Sequence, residues 1–311
     1  MCRIDPNDVG AAVAALAAGR LVILPTETVY GLAAAAADPV AVAAVFEAKG
    51  RPRFNPLIAH VADVDAARGI ALFDPRAERL AKAFWPGPLT FVLPIADRDA
   101  MCDLARAGLD TVAVRSPAHP LALETLRRLG RPVVAPSANR SGRPSPTTFA
   151  DAMEETGVSA GAGLDGGPCA VGVESTVVAL LGERPRLLRP GAVTREALEE
   201  LLGPLGEAEG HAHHSPGRLL RHYAPRAPVR LEATAPRPGE AYLAFGLAPQ
   251  ARQVFQLSAA GDLREAAARL FTLLRAADAT TPTAIAVAPI PDNGLGEAIN
   301  DRLRRAAGHV G

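Results

Sequence analysis

Lys49, Arg51 and Arg53 place three cations within five residues, separated by Gly50 and Pro52. Arginine offers paired planar donors and lysine a point charge, so the cluster suits a polyanion such as a triphosphate. It equally suits a solvated basic turn after a helix. Between Pro136 and Thr147, the side chains of Ser137, Asn139, Ser141 and Ser145 offer hydroxyls and an amide in a run punctuated by Gly142 and three prolines. Such groups bond a ligand or close a polar turn. Glu174-Ser175-Thr176 is open in the same way. Arg115 ends the apolar run Val112-Ala113-Val114. A cation there lies near a sheet edge or a pocket, where it pairs with a carboxylate of the protein or of a ligand. His60 follows Leu57-Ile58-Ala59 and reads first as a core or strand-end histidine.

Several signatures are missing from the sequence. There is no G-x-x-x-x-G-K-[ST], so any use of ATP is not of the P-loop kind. There is no G-x-S-x-G elbow and no H-E-x-x-H. His211, His213 and His214 lack a Cys, Asp or Glu pattern to complete a metal site and read as solvated. The residues alone lead to an α/β protein with an arginine-rich anion site.

The elements that must position these groups alternate. Asp5-Pro6 opens a helix that Gly19 closes, Asp38-Pro39 opens a second that ends at Gly50, and Asp74-Pro75 opens a third that Pro86 stops. Strands are predicted at 21–24, 57–61, 89–93, 111–115, 132–135, 175–181 and 186–188, the last leading into Leu188-Arg189-Pro190-Gly191. The pattern is α/β with a mixed sheet. Polar loops at strand ends are where such sheets hold ligands. From Gly203 to Pro228 the apolar period disappears and Gly, Pro, His and Arg dominate, which predicts a linker. After it, strands at 241–245, 254–257 and 284–288 and helices at 262–277 and 294–307 form a small second α/β unit. The domains are therefore expected at 1–203 and 229–311, with a linker over 204–228.

The 311 residues carry zero formal net charge, and Lys49 and Lys82 are the only lysines. A protein gripping nucleic acid through phosphates shows a basic excess, which is absent. Cys2, Cys102 and Cys169 form no C-x-x-C and read as free thiols of a reducing compartment. The N-terminus lacks a signal-peptide core, and the Ala-rich stretch 31–45 is broken by Asp38-Pro39, too short for a membrane span. A cytoplasmic protein without a membrane is expected.

In chain order, P-T-E-T-V-Y-G-L from Pro25, K-G-R-P-x-x-N-P-L from Lys49, P-G-P-L-T at 86–90, V-A-V-R at 112–115, P-S-A-N-x-S-G-x-x-S-P-T from Pro136, G-V-E-S-T-V-V from Gly172 and L-R-P-G from Leu188 resemble the YrdC/YciO family. Ser215-Pro216-Gly217 and His222-Tyr223-Ala224-Pro225 resemble the connector of its two-domain, YwlC-like threonylcarbamoyl-AMP synthases. Ala33 departs from a glycine common there, a mild change. The resemblance implies an open, twisted YrdC-like sheet with surrounding helices and a cationic cavity, then a smaller Rossmann-like domain. It implies L-threonine, bicarbonate or CO2, and ATP as substrates, with magnesium carried on the ATP phosphates. It also implies a downstream tRNA threonylcarbamoyl transferase complex, while the zero net charge and few aromatics predict direct tRNA binding that is weak or absent. Carried over by motif, Thr28, His60, Arg115, Ala135 and Ser175 are the expected threonine contacts. Arg51, Asn55, Thr111, Ser137, Ser145, Arg189 and Tyr223 are the expected ATP contacts, and Lys49 and Asn139 join Arg51 and Arg189 at the reacting phosphates. The linker is expected to close over the cavity as a lid with Tyr223 near the nucleotide. The alternative is an RNA-binding module of the same family without activity.

Overall fold

A computed structural model of the chain describes residues 8–207 and 222–308. Local chemistry sets the element ends. One Asp38 carboxylate oxygen accepts the N–H of Val40 at 2.9 Å and of Ala41 at 3.1 Å. Pro39 presets the first turn of the helix Pro39–Lys49, and Gly50 leaves it at a left-handed φ of 57°. Asp74 caps Pro75–Phe84 in the same way. The expected opening at Asp5-Pro6 lies outside the described residues. The described helix starts at Val9, with Asp8 accepting from Ala11 N at 2.8 Å.

In chain order the first unit contains α1 (Val9–Ala17), β1 (Leu21–Leu24), β2 (Gly31–Ala35), α2 (Pro39–Lys49), β3 (Ile58–His60), α3 (Val64–Arg68), α4 (Pro75–Phe84) and β4 (Leu89–Pro94). It continues with α5 (Asp103–Arg106), β5 (Thr111–Arg115), α6 (Pro120–Leu129), β6 (Val133–Val134), α7 (Phe149–Thr156), β7 (Ala160–Gly163), β8 (Thr176–Ala179), β9 (Arg186–Arg189), α8 (Arg195–Leu202) and β10 (Gly206–Glu207). The strands form one ten-stranded sheet in the order β10-β9-β8-β4-β5-β3-β6-β2-β1-β7. Parallel pairs such as β3–β5 alternate with antiparallel ones such as β4–β5, so the sheet is mixed.

The sequence reading assigns no element to Gly31–Ala35, yet this is a strand buried along its whole length. Alanine favours helix when alone, but pairing with β1 and β6 overrides that preference. Gly206–Glu207, inside the expected linker, pairs in parallel with β9 and so belongs to the large sheet.

The second unit contains β11 (Val229–Arg230), β12 (Ala241–Phe245), β13 (Val254–Ser258), α9 (Leu263–Ala279), β14 (Ile285–Val287) and α10 (Leu295–Ala306). Its sheet runs β11-β14-β12-β13 with parallel pairs throughout. The two units share apolar packing: Val29 and Val173 bury with Leu270, Phe271, Leu274 and Ile299. Gly172, at φ 77°, permits this approach, because a Cβ there would lie 2.3 Å from the Ala267 carbonyl oxygen.

Candidate active site

Strand register brings distant residues together. In the β3–β5 pair His60 lies beside Arg115, and β8 sets Val177 against Arg189 of β9. Ser137 bridges to Gly31, bringing the 136–147 loop onto the end of β2. These ends surround a cavity of about 530 Å³ of empty space, the open solvent at its mouth included.

One end of the cavity is lined by Thr28, His60, Arg115 and Ala135. Arg115 donates Nε to Gly87 O at 3.1 Å, Nη1 to Thr28 Oγ1 at 2.9 Å and Nη2 to Glu27 Oε1 at 2.6 Å. Three of the five guanidinium N–H groups are engaged in these bonds, and two are left for a ligand. Thr26 Oγ1 donates to Val29 O at 2.6 Å, so the Thr28 hydroxyl donates to Thr26 across their 2.8 Å contact. His60 Nδ1 lies 3.1 Å from Ile58 O. A carbonyl only accepts, so Nδ1 carries the proton and Nε2 is a bare acceptor. Burial, helped by Arg115, pushes the imidazole down to about 3, so it is neutral.

The same lining runs on through Ser175, expected at threonine but here held by Arg189, to Arg51, Ser137, Glu174, Arg189 and Tyr223. Arg189 wraps Ser175, with Nε and Nη2 on its carbonyl at 3.1 and 2.9 Å and Nη2 on Oγ at 3.1 Å. Gly191 makes the underlying loop possible, since a Cβ there would lie 2.3 Å from Thr176 N. Arg51 reaches only the carbonyls of Asn55 at 3.5 Å and Pro56 at 3.3 Å, and its buried Nε has no partner. Among the described residues neither Arg51 nor Arg189 forms an ion pair with a carboxylate. Burial, together with Arg189, lowers Arg51 to about 10, although Tyr223 opposes the shift. Burial also lowers Arg189. Two cations so close, with little solvent around them, repel each other.

Five of the expected site residues stand outside the lining. Lys49 is buried, and its ammonium donates to the carbonyls of Ser137 and Asn139. It thus braces the loop from beneath instead of facing the open cavity, and burial holds its pKa well below the usual lysine value. Asn139 donates Nδ2 to Arg140 O at 2.8 Å and Arg143 O at 2.9 Å, leaving its buried Oδ1 without a partner. Asn55 also has an unpartnered buried Oδ1. Ser145 donates to Glu174 Oε1 at 2.5 Å, directly behind the wall. Thr111 is not brought to this cavity. It opens β5 opposite Pro94, four residues before Arg115, or roughly 13 Å along the strand.

The expected lid has a described end and an undescribed one. Ser215-Pro216-Gly217 and the three histidines at 211, 213 and 214 lie outside the described residues, as does Cys2. Tyr223 is 1% exposed, with its ring 5.4 Å from that of Phe271 and 4.0 Å from that of His222. It holds a left-handed φ of 61°, which costs a bulky residue on the order of 1–3 kcal/mol. His222 also lines the cavity, with a buried, unpartnered Nδ1. Cys102 and Cys169 are free thiols.

The sequence reading misses the groups that reach the site from the second unit. Arg302 Nε donates to Glu174 Oε2 at 2.9 Å. Arg275 Nη1 donates to Glu155 Oε1 at 3.0 Å, and Arg140 and Arg143 converge on the same buried carboxylate. The signal for Arg302 is its place between Ile299 and Leu303 on the apolar face of α10, where a cation requires a partner.

Fold and site define an α/β protein whose strand-end loops gather arginines around a cavity, closed on one side by a second α/β unit. Residues 14–191 match the family model Sua5_yciO_yrdC, described as telomere recombination. Residues 193–308 match a model described as the C-terminal domain of threonylcarbamoyl-AMP synthase. The chain belongs to the Sua5/YrdC family in its two-domain form. It is similar to the threonylcarbamoyl-AMP synthase of Bacillus subtilis, 39% identical over 98% of this chain and 94% of that one. The synthase of Pyrococcus abyssi is 41% identical over 99% and 96%. The crystal structure of P. abyssi Sua5 complexed with L-threonine matches with a TM-score of 0.90 at 39% identity, covering 97% of this chain and 94% of that chain.

Proposed function

We propose that this chain is an L-threonylcarbamoyladenylate synthase. It joins L-threonine, bicarbonate or CO2, and ATP into threonylcarbamoyl-AMP and pyrophosphate for the threonylcarbamoyl-adenosine modification of tRNA. The observation that carries this reading is the pair of cations, half-buried Arg51 and buried Arg189, in the same cavity as the Thr28–His60–Arg115 group. One end suits phosphates. The other suits a small zwitterion: Arg115 has two N–H groups for a carboxylate, and neutral His60 has a bare Nε2 that accepts from an ammonium or hydroxyl.

In the reaction the free threonine amine adds to the carbon of CO2 and loses a proton, or adds to bicarbonate with loss of water, and either route gives a carbamate. A carbamate oxygen then attacks the α-phosphorus of ATP, and pyrophosphate leaves with the bonding electrons. The nucleophile is already an anion, so no serine–histidine pair is needed. The protein aligns two anions and neutralises their charge. Arg51 and Arg189 supply that charge, while Lys49 fixes the Ser137–Asn139 loop that faces the phosphates.

Magnesium is proposed to travel on the ATP phosphates, where it supplies further charge neutralisation. Among the described residues there is no group of three or more His, Cys, Asp or Glu that could hold a metal. The orphaned Oδ1 of Asn139 is an oxygen available to it. No helix among the described residues is long and apolar enough to cross a membrane. We place the protein in the cytoplasm, handing its product to a tRNA threonylcarbamoyl transferase complex, with little direct hold on tRNA given its zero net charge.

The test is pyrophosphate release from ATP with and without L-threonine and bicarbonate. Release should depend on both. Equal release without threonine overturns the reading.

A further inference from the structure

Arg302 lies in the last helix of the chain, and its side chain is 1% exposed. A guanidinium buried that far must have its donors matched. Its contacts fall on three segments that the sequence keeps far apart. Nε meets Glu174 Oε2 at 2.9 Å, and the other oxygen of that carboxylate accepts from Ser145 Oγ at 2.5 Å. Nη1 donates to Pro190 O at 2.6 Å, in the turn directly after Arg189. Its Cζ stands 5.6 Å from the centre of the Tyr223 ring, a cation–π distance. Nη1 also meets the neighbouring Asp301 at 3.0 Å, which balances the charge. Arg189 and Tyr223 line the cavity beside Arg51, and Ser145 stands directly behind its wall. None of these contacts reaches Thr28, His60 or Arg115, and the Ser175 hydroxyl, next to Glu174 in the chain, is held by Thr90 and Arg189 and not by Arg302.

We propose that Arg302 is a positioning residue, through which the second domain sets the nucleotide end of the cavity without touching substrate. The assignment rests on the functional reading above. It gives the second domain a part in the reaction: the groups that meet ATP sit on three loops, and one side chain of α10 fixes their mutual distances. A fork with donors in fixed directions can do this, whereas a lysine, with a single ammonium, cannot span Glu174, Pro190 and the Tyr223 ring at once.

The test uses the full-length chain and four proteins: wild type, Arg302→Lys, Arg302→Met, and the double variant Glu174→Gln/Arg302→Met. ATP and L-threonine affinities are measured by titration calorimetry, with thermal unfolding alongside. Arg302→Met should weaken ATP at least tenfold and leave threonine within about twofold. Arg302→Lys should stay several-fold weak for ATP. The double variant no longer buries an unpaired carboxylate, so it should regain thermal stability without regaining ATP affinity. It therefore supplies the answer if the single Met variant fails to fold. Wild-type ATP affinity in the folded variants, or parallel losses of both ligands that follow thermal stability, overturns the assignment alone. A wild-type protein that binds neither ligand overturns the functional reading, and the assignment with it.

Discussion

Arg115 Nη2 and Glu27 Oε1 stand 2.6 Å apart in an ion pair whose arginine is also part of the cavity wall. The alternatives open for Arg115 in the sequence, a structural ion pair or a ligand contact, are therefore compatible. Glu27 holds one edge of the fork, and its other oxygen accepts from Ala118 N at 3.0 Å. The remaining N–H groups keep a set direction. Arg115→Lys should raise the threonine KM by about 1.5–3 kcal/mol in binding terms, the value of a hydrogen bond to a charged group. The ATP KM should stay near wild type. Steady-state kinetics at saturating co-substrate checks this, and equal shifts in both KM values contradict it.

Arg51 makes only two long contacts with carbonyls and no ion pair among the described residues, so the fold draws little on it. Arg51→Ala should lower kcat/KM for ATP by on the order of 2–4 kcal/mol while the melting temperature stays nearly unchanged. A folded Arg51→Ala protein with wild-type turnover would remove Arg51 from the phosphate site.

Elements fixed by neighbouring residues were readable before the structure. Asp38-Pro39 and Gly50 bound a helix because cap, ring and left-handed exit act within a few residues. The apolar run ending in Arg115 formed β5 at the expected residues. Elements fixed by distant partners were not readable. Gly31–Ala35 is a strand because β1 and β6 flank it, and nothing in five small residues says so. The site divides in the same way. Motif order pointed to the loops, but not to the burial of Lys49 beneath one of them. It also gave no hint that Arg275 and Arg302, more than a hundred residues away, complete the hydrogen bonds of Glu155 and Glu174.

The cavity has apolar lining as well as polar, Val29, Leu57 and Ala135 included. A methyl group in a fitted pocket is worth roughly 1–3 kcal/mol. Threonine should therefore exceed serine in kcat/KM by about 10–200-fold. Competition between the two amino acids for threonylcarbamoyl-AMP formation measures the ratio, and a value of one means the methyl has no pocket.

Stability should fall on acidification before any carboxylate titrates. His60 and His222 are both held near a pKa of about 3, against a usual 6.5, chiefly by burial. Arg115 adds to the shift at His60, and Arg51 and Lys49 add to it at His222, where Glu174 opposes them. A base with a lowered folded pKa takes up its proton first in the unfolded chain. Stability is then complete above pH 6.5 and is lost progressively down to about pH 3. At pH 5 each imidazole accounts for a loss of about 2 kcal/mol. Glu174 is also lowered, because Arg302 and Arg189 outweigh its burial, so it adds to the loss only further into acid. Denaturant melts at pH 7 and pH 5 provide the comparison. His60→Gln should flatten the profile, and an unchanged slope would place the proton uptake elsewhere.

The linker prediction changes once Tyr223 is seen in place. From the sequence, swapping residues 215–225 for a Gly/Ser segment of equal length should remove a lid and leave thermal stability intact. Tyr223, however, is packed in the second apolar core against Phe271, and Ala224 N donates to Gly142 O at 2.7 Å on the loop that carries Asn139 and Ser145. The swap should therefore lower both product yield and unfolding free energy, the latter by the about 3–5 kcal/mol that emptying an aromatic site costs. Point variants separate the two effects. Tyr223→Ala should lose stability and ATP affinity together. Tyr223→Phe keeps the ring against Phe271 and Arg302, so its melting temperature should match wild type. Any weakening of ATP in that variant then measures the hydroxyl at the nucleotide. Unchanged yield and unchanged stability after the full swap would reduce the segment to a tether.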